Sequence, residues 1–189
     1  MPELTWPMQR QLLQFFVESI RTHPSDPVVI SEGDSWFSFP IHANIIDHLD
    51  EFVARRMSLL RLERSGDEMT EMTTDAKLAT LSGYLRRYKP HALLWSGGGN
   101  DIVGPELLDF VAARGAMFDL KAALNTKALT RKFGELESAY RRVIAMRDAE
   151  APDCLILTHG YARAIPSGRK AKMWGITAGP WIKPFLEAR

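Results

Sequence analysis

Apolar and polar positions follow two rhythms along this chain. Leu13, Phe16, Val17 and Ile20 recur three and four residues apart, which predicts an amphipathic helix over residues 8–21. The stretch "HPSDP" (23–27) breaks it. Val28, Val29 and Ile30 are contiguous and β-branched, which predicts a short buried strand. Helical spacing returns with Ile41, Ile45, Ile46, Leu49 and Val53. Residues 57–64, "MSLLRLER", read as a second strand, and Ser65-Gly66-Asp67 as a turn. Leu78, Leu81, Leu85 and Tyr88 mark another helix that Pro90 closes. "HALLWSGGGND" (91–101) reads as a third strand running into glycines. Phe133, Leu136, Tyr140, Val143 and Ile144 mark a long helix, and "DCLILTHG" (153–160) a fourth strand.

Strands that alternate with helices predict an α/β domain with a parallel sheet and right-handed crossovers. Residues 1–27 read as an N-terminal helix and linker, and residues 28–189 as the domain proper. Between Asp101 and Phe133 the pattern predicts a helix from about Pro105 to Arg114 plus a loop, which is either a lid or an ordinary insertion. The last stretch, from Ala162 onward, is rich in Gly and Pro, carries Trp174 and Trp181, and has no clear period.

Composition narrows the class of protein. The chain has 189 residues, 46% of them hydrophobic and 25% charged, enough for one domain with its own core. Its net charge of +1 gives no electrostatic case for nucleic acid or a membrane surface. The pairs Arg86-Arg87 and Arg141-Arg142 read as solvated helix faces. A single cysteine, Cys154, excludes an internal disulfide and reads as a small buried side chain. The N-terminus lacks the pattern of a secretion signal, so the expected location is cytoplasmic.

Three turns carry candidate chemistry, and each follows a strand. Ser35 ends the first strand region, Gly66 follows the second, and Asn100 follows the third. In an open parallel sheet, ligands bind beyond the carboxyl ends of the strands. In the order 2-1-3-4-5 the first strand lies between the second and third, so the three turns would be neighbours. Acyl transfer needs a nucleophilic hydroxyl and fixed donors for the oxygen that takes up charge. Ser35 offers the hydroxyl and its own N–H, Gly66 a second backbone N–H, and Asn100 a side-chain amide. Gly97, Gly98 and Gly99 let the chain turn so that this amide faces inward. Asp34 and Asp101 are expected to brace the two loops by accepting backbone hydrogen bonds. Trp36 and Phe37 either line an acyl or aryl pocket or pack beneath the following helix.

The segments "GDSW" (33–36) and "GGND" (98–101), with the turn at Gly66 between them, resemble the first three sequence blocks of the SGNH (GDSL-like) hydrolase family. The resemblance covers roughly residues 28–160. It implies a flavodoxin-like, three-layer α/β/α fold of order 2-1-3-4-5 and hydrolysis of ester-linked acyl groups. It implies Ser35 as nucleophile, with Gly66 and Asn100 completing the oxyanion hole, and Asp34, Trp36, Gly99 and Asp101 around a small-molecule acyl ester. No metal or organic cofactor is implied.

The family's last block, an Asp-x-x-His near the C-terminus, has no counterpart here, and no fifth strand is evident after the fourth. Without a base, a serine hydroxyl is a poor nucleophile near neutral pH. Of the five histidines, His159 ends the fourth strand at the correct edge and is the substitute the pattern allows; a structural role is the other reading. His23 lies in a linker, His91 at the opposite edge, and His42 and His48 on or near the first helix of the domain. The expectation is therefore an SGNH-type esterase cut short at its C-terminus or impaired, or a non-catalytic ligand-binding relative. An unfinished sheet edge would invite pairing with a second copy. A magnesium site at Asp34 and Asp101 would leave Ser35 and Asn100 without purpose. Neither an α/β-hydrolase elbow nor a dinucleotide fingerprint fits, because Phe37 and Ile102 stand where glycines are needed.

Overall fold

The computed structural model describes residues 6–39, 43–52, 56–112, 123–160, 166, 168–173 and 176–188. Its centre is an all-parallel sheet of four strands, β1 (Val28–Gly33), β2 (Ser58–Arg61), β3 (Ala92–Ser96) and β4 (Leu155–Thr158). They are ordered β2-β1-β3-β4, so β1 lies between β2 and β3, as in the first four strands of the expected order. Ile30 sits opposite Leu60 on one side and Leu93 on the other, and Gly33 opposite Ser96. The pairing continues past the strand ends: the Leu62 and Arg64 N–H groups donate to Ser31 and Gly33 (2.9 and 2.8 Å), and Asp34 N–H to Ser96 (3.2 Å). The turn that carries Ser35 is therefore anchored on both sides by sheet hydrogen bonds.

Successive strand residues point to opposite faces, and the core divides accordingly. Ile30, Leu60, Leu93 and Trp95 join one cluster with Phe16, Met69, Met72, Leu81, Leu85 and Val143. These come from helices α1 (Trp6–Thr22), α3 (Met69–Met72), α4 (Asp75–Tyr88) and α6 (Thr126–Glu150). Val29, Ala92 and Leu94 join the other cluster with Phe37 and with Ile46 of helix α2 (Ile45–Phe52). Each large side chain so buried is worth about 1.5–3 kcal/mol. Helix α1 belongs to this core: Phe16 is buried and its ring meets Tyr88 edge-on at 5.0 Å.

Local chemistry explains the helix ends. Asn125 caps α6, its side chain accepting from Ala128 N–H at 3.2 Å. Helix α4 stops at Lys89, which takes a left-handed conformation (φ 44°) just before Pro90. Between β3 and α6 the chain makes a 3₁₀ turn (Gly104–Glu106) and a short helix, α5 (Leu107–Phe110), where the sequence suggested one longer helix. Arg114, its expected end, lies outside the described residues, as do Ile41 and Val53 of the α2 pattern. On α6, Phe133 and Ile144 are exposed, while Val143 is buried and Leu136 and Tyr140 pack against the core.

After β4 comes a two-stranded antiparallel hairpin, β5 (Ala171–Met173) and β6 (Ile176–Ala178), then helix α7 (Lys183–Glu187). This segment is fastened to the loop after β3, where Gly104 N–H donates to the Trp181 carbonyl at 2.9 Å. Strand β4 is one of the two outer strands of the sheet, and its Leu155 and Leu157 are exposed. Among the described residues, no helix is long and apolar enough to cross a membrane.

Candidate active site

Gly33 is demanded by close packing: a Cβ there would lie 2.7 Å from both the Cβ and the carbonyl oxygen of Ser96. The next residue, Asp34, is buried and organises the turn. Its Oδ1 accepts from Trp36 N–H (3.0 Å) and from the Ser96 hydroxyl (2.8 Å). Its carbonyl accepts from the N–H groups of Phe37 and Ser38, both at 3.1 Å. Ser35 is thus held at the crest of a turn fixed before and after it. Trp36 is exposed beside it, whereas Phe37 is buried in the core.

A second set of contacts fixes the turn from below. Arg61, at the end of β2, donates to the Phe37 carbonyl (2.9 Å), to Asp47 on α2 (2.7 Å) and to Glu63 (2.5 Å). The Glu63 side chain is nearly inaccessible and also accepts from the Ser31 hydroxyl at 2.6 Å. Helix α2 starts directly on this platform, with Ile45 N–H donating to the Trp36 carbonyl at 3.1 Å.

The glycine-rich turn after β3 is shaped by Gly98, whose φ of +102° disfavours any residue with a Cβ, and by Tyr140, whose hydroxyl donates to the Gly97 carbonyl at 3.0 Å. Asn100 follows, its amide donating to the Asp67 carbonyl at 2.9 Å. That bond joins the turn after β3 to the turn after β2, next to Gly66. A glycine is needed at 66 for its φ of +94°, not for close approach, since a Cβ there would meet nothing within 4 Å. Asp101 is fully buried and accepts from Met69 N–H at 2.7 Å. Both acids of the two motifs therefore accept backbone N–H groups, the bracing role expected of them.

Ser35 and Asn100 line one cavity of about 800 Å³ at the carboxyl edge of the sheet. Asp34, Trp36 and Gly99 also lie on its wall, whereas Gly66, Asp101 and His159 do not. Ile45, Ile102 and Val103 make much of the wall apolar. The far side comes from the C-terminal segment, through Pro166, Arg169, Trp181, Ile182 and Lys183. Phe39 reaches Trp181 with ring centres 6.4 Å apart. His48 of α2 stands on the same wall, although nothing in its helical spacing singles it out.

His159 sits at the correct edge but is directed elsewhere. Its Nε2 lies 2.7 Å from the Ser96 hydroxyl, which in turn donates to Asp34. Its ring packs on Trp36 and Phe37, with centres 5.5 and 5.7 Å away. The resulting chain, Asp34–Ser96–His159, ties together the ends of β1, β3 and β4. Ser96 itself is buried and inaccessible to a ligand.

The electrostatics are dominated by burial. Glu32, just before Gly33, is deeply buried, which pushes its carboxyl up to about 8 despite attraction from Lys77. Its Oε1 accepts from Gly33 N–H at 3.1 Å. Burial also raises Asp67 and Glu68 above the usual carboxylate range, and raises the Cys154 thiol. Among the described residues, no group of three or more His, Cys, Asp or Glu is placed to hold a metal ion. Comparison of the chain with protein-family models and with curated proteins found no match.

Proposed function

We propose that this protein is an SGNH-type hydrolase of small acyl esters on a flavodoxin-like, three-layer α/β/α scaffold, with Ser35 as its nucleophile. The observation that carries the reading is the cavity that Ser35 and Asn100 share, at the edge where an open parallel sheet binds its ligands. The ester carbonyl would lie over Ser35. Attack by Oγ moves charge onto the carbonyl oxygen, and the Asn100 amide supplies a donor to it. One N–H of that amide is spent on Asp67, which aims the group and leaves the second N–H for substrate. The backbone N–H of Ser35 is the further donor, and among the described residues it enters no hydrogen bond. Gly66, expected to complete the oxyanion hole, lies off the cavity wall and shapes the turn that holds Asn100. The apolar wall suits the acyl or aryl part of the ester.

The test is hydrolysis of p-nitrophenyl acetate by the wild type and by Ser35→Ala. The reading expects turnover that the variant loses. Equal turnover in both would overturn it. A second reading is a ligand-binding relative that has kept the cavity and lost turnover. What favours it is that the Nε2 of His159 is directed to Ser96. Saturable binding of an ester that is never cleaved, unaffected by Ser35→Ala, would support it.

A further inference from the structure

The ester-hydrolase reading leaves one role unfilled, the group that takes the proton from Ser35. A base must share the cavity with the nucleophile, and its imidazole must be held by a third group. Among the described residues, His48 is the histidine on the cavity wall. It sits on α2, the helix that begins directly on the nucleophile turn. Asn44, Ile45 and His48 all line the cavity, and their spacing puts them on one helical face. One turn further on, Glu51 brings its carboxylate to 3.7 Å from His48 Nδ1. Nucleophile, imidazole and carboxylate thus follow each other within residues 35–51. Such contacts are often long in an unliganded enzyme and tighten in the substrate complex.

We propose that His48 is the general base for Ser35 and that Glu51 is its positioning carboxylate; the assignment rests on the ester-hydrolase reading of this cavity. With Nδ1 turned to Glu51, the proton moves at Nε2. His48 takes the Ser35 proton as Oγ bonds to the acyl carbon. It returns that proton to the departing alkoxide as the ester C–O bond breaks. A water molecule then attacks the acyl-serine; its proton passes through His48 to Ser35 Oγ, and the carboxylic acid leaves. Glu51 steadies the imidazolium in both steps. Among the described residues, the charged side chains that share the cavity wall with His48 are Asp34, Arg169 and Lys183, and Asp47 on its own helix is held by Arg61.

The test uses the full chain, a p-nitrophenyl ester and a fluorophosphonate, which labels an activated serine. Rates are followed from about pH 5 to 9, the span in which an imidazole titrates. His48→Gln should lower both rates by about 100-fold or more. Glu51→Gln should lower them less and move the acidic limb of the profile to lower pH, because removing a carboxylate disfavours the imidazolium. A merely structural role for Glu51 would leave that limb in place. His159→Gln should keep the wild-type limb. If His48→Gln reacts like the wild type while His159→Gln abolishes the limb, the assignment falls and the hydrolase reading stands. If the wild type neither hydrolyses the ester nor is labelled at Ser35, both fall.

Discussion

Replacing Glu32 by glutamine isolates the most strongly perturbed group next to the candidate site. Glu32 precedes the nucleophile turn, and its Oε1 accepts from Gly33 N–H. Burial raises its carboxyl from 4.5 to about 8 in the folded protein. In the unfolded chain it releases its proton near 4.5, so between these values the folded state holds the extra proton. Stability then falls as pH rises from about 4.5 to about 8, and levels off above. At about 1.4 kcal/mol per unit, the span from 4.5 to about 8 sets a ceiling of about 5 kcal/mol. Glu32→Gln keeps the acceptor for Gly33 and cannot ionise. Asp67 and Glu68, also raised by burial, titrate in both proteins and largely cancel in the difference. Urea unfolding at several pH values between about 5 and 9 reads the effect. Over that pH window the variant should gain on the wild type by roughly 2–4 kcal/mol from the acid to the alkaline end. Parallel stability curves would show that Glu32 stays ionised throughout and refute the reasoning.

Three further outcomes follow from the same contacts. Gly33→Ala puts a Cβ 2.7 Å from Ser96 backbone and should cost at least about 2–3 kcal/mol in urea unfolding; a loss below half a unit would mean the strands part without strain. Arg61→Ala leaves the nearly inaccessible Glu63 without its cation and frees the Phe37 carbonyl. Chemical denaturation should show a loss of about 3 kcal/mol. Asn100→Ala should lower kcat by about 10²–10³ with little change in KM; steady-state kinetics with a p-nitrophenyl ester separates the two.

The strands and the three turns were legible because their signals are local. Val28-Val29-Ile30 and "ALLW" are too apolar and too short for anything but buried strands, and "GDSW" and "GGND" mark where they end. Alternation predicted the parallel pairing, while the order β2-β1-β3-β4 agrees with the first four strands of the order that the family resemblance implied. The cavity's far wall was not legible. Strands of three residues and a helix of five are too short to show a period, and Trp181 is placed by contacts distant in sequence, a backbone bond from Gly104 and the ring of Phe39. Helical spacing also overreached on α6, where Phe133 and Ile144 share the stripe but stay exposed. His48 was passed over for a related reason: periodicity finds the apolar face of a helix and says nothing about which polar residue borders a cavity. His159 was found by its place at a strand end, which sequence reveals, yet the partner of its Nε2 is set by Ser96 on another strand.

The nucleophile is the centre of the account, and covalent capture tests it most directly. The protein is incubated with a fluorophosphonate, its intact mass is measured, and the modified peptide is sequenced by mass spectrometry. The account predicts one adduct per chain, carried by Ser35 and absent from Ser35→Ala. An unmodified wild type, or an adduct that persists in Ser35→Ala, would contradict it.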